Sequence, residues 1–352
     1  MKTAVALAML VIASVAAAHG AAPQRTLTTS APVVALAADG DRAALLVGNR
    51  GACASVVVWE PTRRRVVRLH SATRGQCVEG QPVTRAVALA GTRVAWLQAG
   101  GGMTLETTVV SATLARPTPV SVALALSTSG MGDFVRRPLG DGTLLAFTVD
   151  RRCSEGEDAD PQCPPGRKTG YVIAATVWRA AGRGRCPHSY SLVRRCSRVA
   201  QADGELSLLA VDAGRIAVQT KSGVQLLTAG GNVLQEFDLR ARSAALSGNR
   251  LAVRTADAVE IYDTGSGQLN ARFPAASHLR LEDLDRGILV TALGRAVTLR
   301  RLGDGRTTTI RTSAIARAQL ERPGLFVAAG RRVTFTRMQD VLRRLGAKGQ
   351  GR

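Results

Sequence analysis

One phrase recurs along the chain: a short apolar run, a turn containing glycine, and a second short apolar run. In order it reads ADGDRAALLV, LAGTRVAWLQ, LGDGTLLAFTV, VDAGRIAVQT, LSGNRLAVRT, LDRGILVTAL and ERPGLFVAAG. The anchoring glycines are Gly40, Gly91, Gly142, Gly214, Gly248, Gly287 and Gly324, with spacings of 51, 51, 72, 34, 39 and 37. The 72-residue interval holds an insertion, placed at about 151–169. A unit of this size made only of strands cannot bury its own faces, so neighbouring units must stack.

A further strand pair follows most of these phrases, as in SVVVWEPTRRRVVRL, GVQLLTAGGNVLQEF, AVEIYDTGSGQLNARF and AVTLRRLGDGRTTTIRT. Val, Ile, Leu and Thr fill the runs, and Gly, Pro, Asn or Asp separate them. Each repeat thus predicts four short antiparallel strands. That pattern leads to an all-β fold, a seven-bladed β-propeller of four-stranded antiparallel blades. Two β-sandwiches are the competing arrangement, but no Pro/Ser-rich linker divides the chain.

The stretches VEIYDTGSGQ and VVVWEPTRR, the latter with Trp59 and Glu60, end a third strand in an aromatic–acidic pair before a turn. In this the chain resembles the WD-repeat and YVTN-like β-propeller superfamily over roughly residues 25 to 340. No Gly-His dipeptide opens the repeats and no Trp-Asp pair occurs, so the resemblance implies the architecture and no family activity. The last repeat offers three strands, AIARAQL, LFVAAG and RVTFTRM. RTLTTSA near the N-terminus is the expected fourth strand, closing the ring and removing its open edges. QDVLRRL, the competing candidate, reads better as a short helix.

The first residues, MKTAVALAMLVIASVAAAHGAAPQ, carry one Lys before an apolar run and then small residues. This is the layout of a secretory signal peptide, assigned to residues 1–22 with cleavage near Ala18 to Ala22. The run is short of the roughly 20 residues of a bilayer span. The expected organisation is a single propeller domain over 23–340, followed by a basic C-terminal tail over 341–352. The mature protein is expected to be secreted and monomeric, with no transmembrane segment.

Six cysteines, Cys53, Cys77, Cys153, Cys163, Cys186 and Cys196, suit an oxidising compartment and disulfides. No CxxC spacing supports zinc, and no metal site is assigned. The face assignment of the loops favours Cys53–Cys77. Local pairing, Cys153–Cys163 and Cys186–Cys196, is preferred for the other four, with crossed pairings left open. The loop with Glu155, Glu157, Asp158 and Asp160 is a solvated acidic loop in the first reading and a calcium site in the weaker one. No other cofactor is expected.

The net charge is +21, and arginine supplies nearly all the basic residues, since only four are lysine. Codon preference explains part of this excess. Aromatic residues are scarce, which argues against base stacking and a nucleic-acid partner. The turns after first and third strands carry Arg42, Arg63, Arg64, Arg65, Arg93, Arg183, Arg185, Arg215, Arg250, Arg286, Arg300 and Arg301. In a propeller these turns share one face, where guanidinium groups suit sulfate, phosphate or carboxylate. No G-x-S-x-G, HExxH or linked nucleophile–base pair is present, and no catalytic residue is assigned. A non-catalytic binding or scaffold module, for an anionic polymer or a protein partner, is the favoured function. A hydrolase or lyase working at the central channel is the alternative.

Overall fold

A computed structural model of the chain describes residues 25–49, 52–70, 83–101, 104–127, 131–153, 171–187 and 195–346. The segments read as a signal peptide and as a calcium-binding loop lie outside these residues. β1 (Arg25–Thr28) is followed by β2 (Val33–Asp39), β3 (Arg42–Asn49), β4 (Ala52–Glu60) and β5 (Arg65–His70), of which β2 to β5 form one antiparallel sheet. β6 (Val83–Ala90), β7 (Arg93–Gly100), β8 (Leu105–Thr113) and β9 (Val120–Ser127) continue into a nine-stranded sheet. Its other members are β10 (Met131–Val135), β11 (Leu139–Asp141), β12 (Leu144–Cys153), β13 (Val172–Arg185) and β14 (Arg195–Asp203).

Two regular four-stranded sheets follow. One holds β15 (Leu206–Asp212), β16 (Arg215–Thr220), β17 (Val224–Thr228) and β18 (Val233–Phe237). The other holds β19 (Ser243–Ser247), β20 (Arg250–Arg254), β21 (Ala258–Asp263) and β22 (Leu269–Pro274). The next comprises β23 (Arg280–Asp285), β24 (Ile288–Leu293), β25 (Ala296–Arg301) and β26 (Thr307–Arg311). The last orders β27 (Ala316–Glu321), β28 (Gly324–Ala329) and β29 (Arg332–Arg337), with β1 as its fourth strand. β1 runs antiparallel to β29, Arg25 opposite Phe335 and Thr28 opposite Arg332.

The phrase that marks each repeat is the hairpin between first and second strands. Ala213 and Gly214, with φ of 44° and 85°, sit at one such turn, and Arg286 and Gly287, at 48° and 71°, at another. Positive φ at both central residues matches the right-handed twist of the flanking strands. Gly91, at φ 60°, has a second reason to lack a side chain: a Cβ there would stand 2.9 Å from the Gly142 carbonyl oxygen.

First strands bury small residues, including Ala37, Ala38, Ala86, Ala88, Ala316 and Ala318. The fourth strands β22 and β26 alternate half-buried and exposed positions, as one-sided strands do. The core therefore lies between successive sheets. Leu46 and Val58 pack with Leu89 and Trp96, Ile216 and Val218 with Ala146 and Val177, and Leu251 and Val253 with Ala217 and Leu226. The last sheet packs on the first in the same manner, through Phe326, Phe335, Leu45 and Trp59. The Trp59 and Phe326 rings meet edge-to-face, with centroids 6.2 Å apart.

α1 (Met338–Gly346) follows β29 and buries Met338, Val341 and Leu345 against the cluster of Ile288, Leu299 and Leu325. QDVLRRL thus lies in a helix, and residues 341–346 of the segment read as a tail are part of the packed fold. Asp340 in its first turn and Arg343 and Arg344 in its last complement the helix dipole. Among the described residues no helix is long and apolar enough to cross a membrane.

Candidate anion-binding site

One strand departs from the repeat. The segment equivalent to a first strand is split into β10 and β11, which pair with two successive stretches of β12. Val135 lies opposite Val149 and Leu139 opposite Ala146, so three residues of one strand face two of the other. The extra residue falls within Arg136–Arg137–Pro138. Proline has no N–H to give to the ladder and restricts the residue before it, so the strand breaks here. Arg136 still donates its N–H to the Thr148 carbonyl at 2.8 Å.

Two adjoining cavities open beside this break, of ≈ 1020 and ≈ 450 Å³, and both touch Arg85 and Arg137. The larger is also walled by Arg136, Arg152 and Lys221, the smaller by Arg242, Arg254, Arg280 and Arg317. Four carboxylates, Asp150, Asp203, Glu205 and Glu282, oppose these nine cations. A channel of Ala, Thr and Val would be the bland outcome; this mouth is strongly basic instead.

Several of the cations are engaged. Asp150 Oδ2 accepts from Arg136 Nε at 2.8 Å and from Arg152 Nη2 at 2.9 Å. Arg280 Nε donates to Glu282 at 2.6 Å, and Arg317 stands 3.9 Å from the same carboxylate. Arg254, 2 % exposed, spends its guanidinium on the carbonyls of Thr255, Ala276 and Leu279. The side chains of Arg85, Arg137, Arg242 and Lys221 have no hydrogen-bond or ion-pair partner among the described residues. Arg137 is solvent-exposed yet has protein on every side, because the solvent touching it is that of the cavity. Burial lowers its pKa below the usual arginine value; Arg317 adds to this and Glu282 opposes it.

The lining of the larger cavity includes three buried polar atoms without partners among the described residues: Asp150 Oδ1, Thr148 Oγ1 and Arg136 Nη2. Burial raises the Asp150 pKa, outweighing the opposing charge and hydrogen bond of Arg136. Phe134 and Tyr171 add aromatic rings to the same cavity.

The arginines singled out from the sequence have other surroundings. Arg42, Arg63 and Arg65 converge on the buried Glu60, at 2.8, 3.6 and 3.8 Å. Arg64 takes a positive φ of 53° at the exposed turn beside them. Arg93 donates to Ser111 at 3.1 Å and the Ala180 carbonyl at 2.6 Å. Arg215 pairs with Asp212 at 2.9 Å and reaches the Gly248 carbonyl. Arg250 is half-buried with its guanidinium against Gly287, and Arg286 is exposed at a turn. Arg300 lies over the Phe273 ring at 4.5 Å, and Arg301 pairs with Asp304 at 3.2 Å. Arg185 is exposed at the end of β13. Arg183 lies in the same strand, with its side chain outside the description.

Between these turns stand carboxylates that bridge successive sheets. Asp39 accepts the N–H of Gly91 and of Gly142, Asp141 that of Ala213, Asp212 that of Gly248 and Glu321 that of Gly40. The turn face thus has an acidic centre, and the face of the interblade links has a basic one. Sequence reasoning missed the basic mouth. Its signal was an Arg at or near the start of the first strand in TRAVAL, VRRPLG, ARSAAL, LRLEDL and ARAQL.

Cys186 and Cys196 form a disulfide with Cα atoms 4.8 Å apart, and Cys153 is also disulfide-bonded. Cys77 and Cys163 lie outside the described residues, as does the side chain of Cys53. The backbone beside Cys186 is tied to β9, since Leu124 donates its N–H to the Pro187 carbonyl at 3.1 Å. Among the described residues no three His, Cys, Asp or Glu side chains are placed to hold a metal ion.

No protein-family model and no curated protein matches the sequence. Solved structures do match the fold. A chain of the mitotic checkpoint complex superposes with a TM-score of 0.51 at 11 % identity, over 96 % of this chain and 99 % of that one. The Cps50 (Swd1) β-propeller domain of Myceliophteria thermophila gives 0.52 at 12 %, over 89 % and 99 %. An oligogalacturonate lyase in complex with manganese gives 0.50 at 12 %, over 86 % and 88 %. The chain has a WD-repeat-like β-propeller fold.

Proposed function

We propose that this chain is an exported, non-catalytic binding module, a closed seven-bladed ring that takes an anionic polymer at its basic mouth. The observation that carries the reading is the cluster of Arg85, Arg137, Arg242 and Lys221, whose side chains line the two cavities with no ion-pair or hydrogen-bond partner among the described residues. Like charges held together repel one another and raise the local concentration of anions. Guanidinium groups then offer paired donors to carboxylate, sulfate or phosphate. Two connected cavities suit a chain of anionic units better than one small ion. Five of the turn-face arginines, Arg42, Arg63, Arg65, Arg215 and Arg301, are occupied by Glu60, Asp212 and Asp304, and the turn face belongs to the surround of this site.

Seven blades follow from counting β10 and β11 as one broken first strand, which divides the nine-stranded sheet into two units. The alternation of apolar clusters, with the last sheet packed on the first, supports closure by β1. Export rests on the N-terminal sequence; N-terminal sequencing of the exported protein should give a start between Ala18 and Pro23.

A second reading, a lyase acting at the channel, has the oligogalacturonate lyase among its fold neighbours. It lacks an assigned acid–base pair or metal-ligand set among the described residues.

The test is retention of the mature, oxidised protein on immobilised polyuronate, dextran sulfate and polyphosphate across a salt series. Binding should weaken steeply as salt rises. Charge reversal at Arg85, Arg137 and Arg242 should abolish it, while reversal at Arg42, Arg93, Arg215 and Arg250 in a folded variant should leave most of it. No binding by wild type, or loss only in the turn-face variant, would overturn the assignment.

A further inference from the structure

The larger cavity has more chemistry than a generic polyanion groove requires. An all-purpose electrostatic groove needs exposed cations and nothing else. Here the lining also includes Asp150 and Thr148, whose Oδ1 and Oγ1 are buried and have no hydrogen-bond partner among the described residues. Asp150 is 4 % exposed and Thr148 1 %. Leaving such atoms unpaired is costly and needs a reason.

The two oxygens ask for a particular complement. Asp150 already satisfies Arg136 and Arg152 through Oδ2, so its remaining oxygen can only accept, and a second anion there would be repelled. Thr148 can accept or donate. The group that suits both is a hydroxyl. In the same cavity Arg137 and Lys221 call for an anion, and Phe134 and Tyr171 present ring surface to a body with an apolar face. Anionic group, hydroxyls and an apolar face coincide in one ligand class.

We propose that this cavity is a subsite for a single anionic sugar unit, its carboxylate or phosphate held by Arg137 and Lys221 and its hydroxyls by Asp150 and Thr148. The inference rests on the reading of the basic mouth as an anion-binding site and assigns that site a repeating unit. The cavity, at ≈ 1020 Å³, is ample for one sugar ring with its neighbours continuing toward Arg85 and the smaller cavity. The break at Pro138 is what makes room, because an unbroken first strand would carry the ladder across the opening.

Calorimetric titration of the mature, oxidised chain with glucuronate and glucose 6-phosphate tests this, with glucose and cyclohexanecarboxylate as controls. Glucose lacks the anion and cyclohexanecarboxylate lacks the hydroxyls. At least one anionic sugar should bind about tenfold or more tightly than either control, since sites built around hydroxyls reject analogues without them. The sugar that binds better identifies the anion as carboxylate or phosphate. Arg137→Gln should lose binding, and Thr148→Val, which keeps the shape of the side chain, should weaken it about fivefold or more. Asp150→Asn serves as a third variant if it folds, and Thr148→Val carries the test if it does not. Equal affinity for glucuronate and cyclohexanecarboxylate, or wild-type affinity in Thr148→Val, overturns the subsite. If polymer is retained and Arg85, Arg137 and Arg242 are needed but neither sugar binds, the subsite falls and the basic mouth stands. If neither polymer nor sugar binds, both fall.

Discussion

Glu321, at the end of β27, accepts the backbone N–H of Gly40 at 3.1 Å, joining turns 281 residues apart in sequence. The carboxylate stands in the acidic centre of the turn face, near Asp283, Asp39 and Asp141. Burial, reinforced by Asp283, pushes its pKa up to about 9; the Gly40 N–H opposes this and Asp39 and Asp141 add to it. Asp283, whose oxygens accept from Leu284 and Leu320, is pushed up to about 7, chiefly by burial.

These raised values fix the sign of a pH dependence. Below about pH 4 the carboxyls are protonated in both folded and unfolded chains, and the favourable contribution is fully present. As pH rises, the unfolded chain releases its protons first, so stability declines up to about pH 7 for Asp283 and about pH 9 for Glu321. Glu321→Gln keeps an acceptor for Gly40 and removes one titration. Its thermal midpoint should match wild type near pH 4 and exceed it increasingly toward pH 9. Parallel profiles for the two proteins would refute the assignment.

Glu60 is fully buried between Arg42, Arg63 and Arg65. Removing the shared carboxylate leaves Arg42, itself mostly buried, with only the more distant Asp41 at 3.8 Å. Glu60→Ala should lower stability by about 3 kcal/mol or more, read as a shift in the urea midpoint. Arg63→Ala, at an exposed turn, should cost less than about 1 kcal/mol.

Arg254 fastens the chain between β22 and β23 by donating to the carbonyls of Ala276 and Leu279 while also reaching Thr255. Arg254→Met preserves much of the volume and removes the donor from the Thr255 and Leu279 carbonyls, while Ala276 keeps the Leu279 N–H at 2.9 Å. A loss of about 3 kcal/mol is expected, from roughly 1–3 kcal/mol per stranded buried acceptor. Arg254→Lys should recover only part of it, because one ammonium cannot span the same fork. Equal stability of the Met and Lys variants would count against this role.

β1 covers the Arg332-to-Phe335 edge of β29. A chain beginning at Ala31 should expose that edge and lose the packing of Leu27 beside Phe335 and Val333. Exposed edges pair with other chains, so light scattering after size exclusion should show more self-association than in the longer chain. A monomer of unchanged thermal midpoint would show that β1 is dispensable.

The sequence by itself determined the strand periodicity, since alternating apolar residues and obligate turn residues act over a few neighbours. LSGNRLAVRT and VEIYDTGSGQ read directly as β19 to β21, and QDVLRRL as the helix that ends the fold. It also marked RTLTTSA as the partner for an unfilled strand position, and β1 does pair with β29. Composition could not sort one arginine from another. Arg42 pairs with a buried carboxylate 18 positions away, whereas Arg137 has no ion-pair partner among the described residues, and that difference arises only when sheets distant in sequence converge. The tertiary structure likewise decided that Asp39, Asp141, Asp212 and Glu321 bridge sheets while Asp263 holds its own turn through Gly265 and Ser266. Backbone pattern is a local property of the chain. The charge of a cavity depends on which side chains find partners across it, and only the assembled sheets fix that.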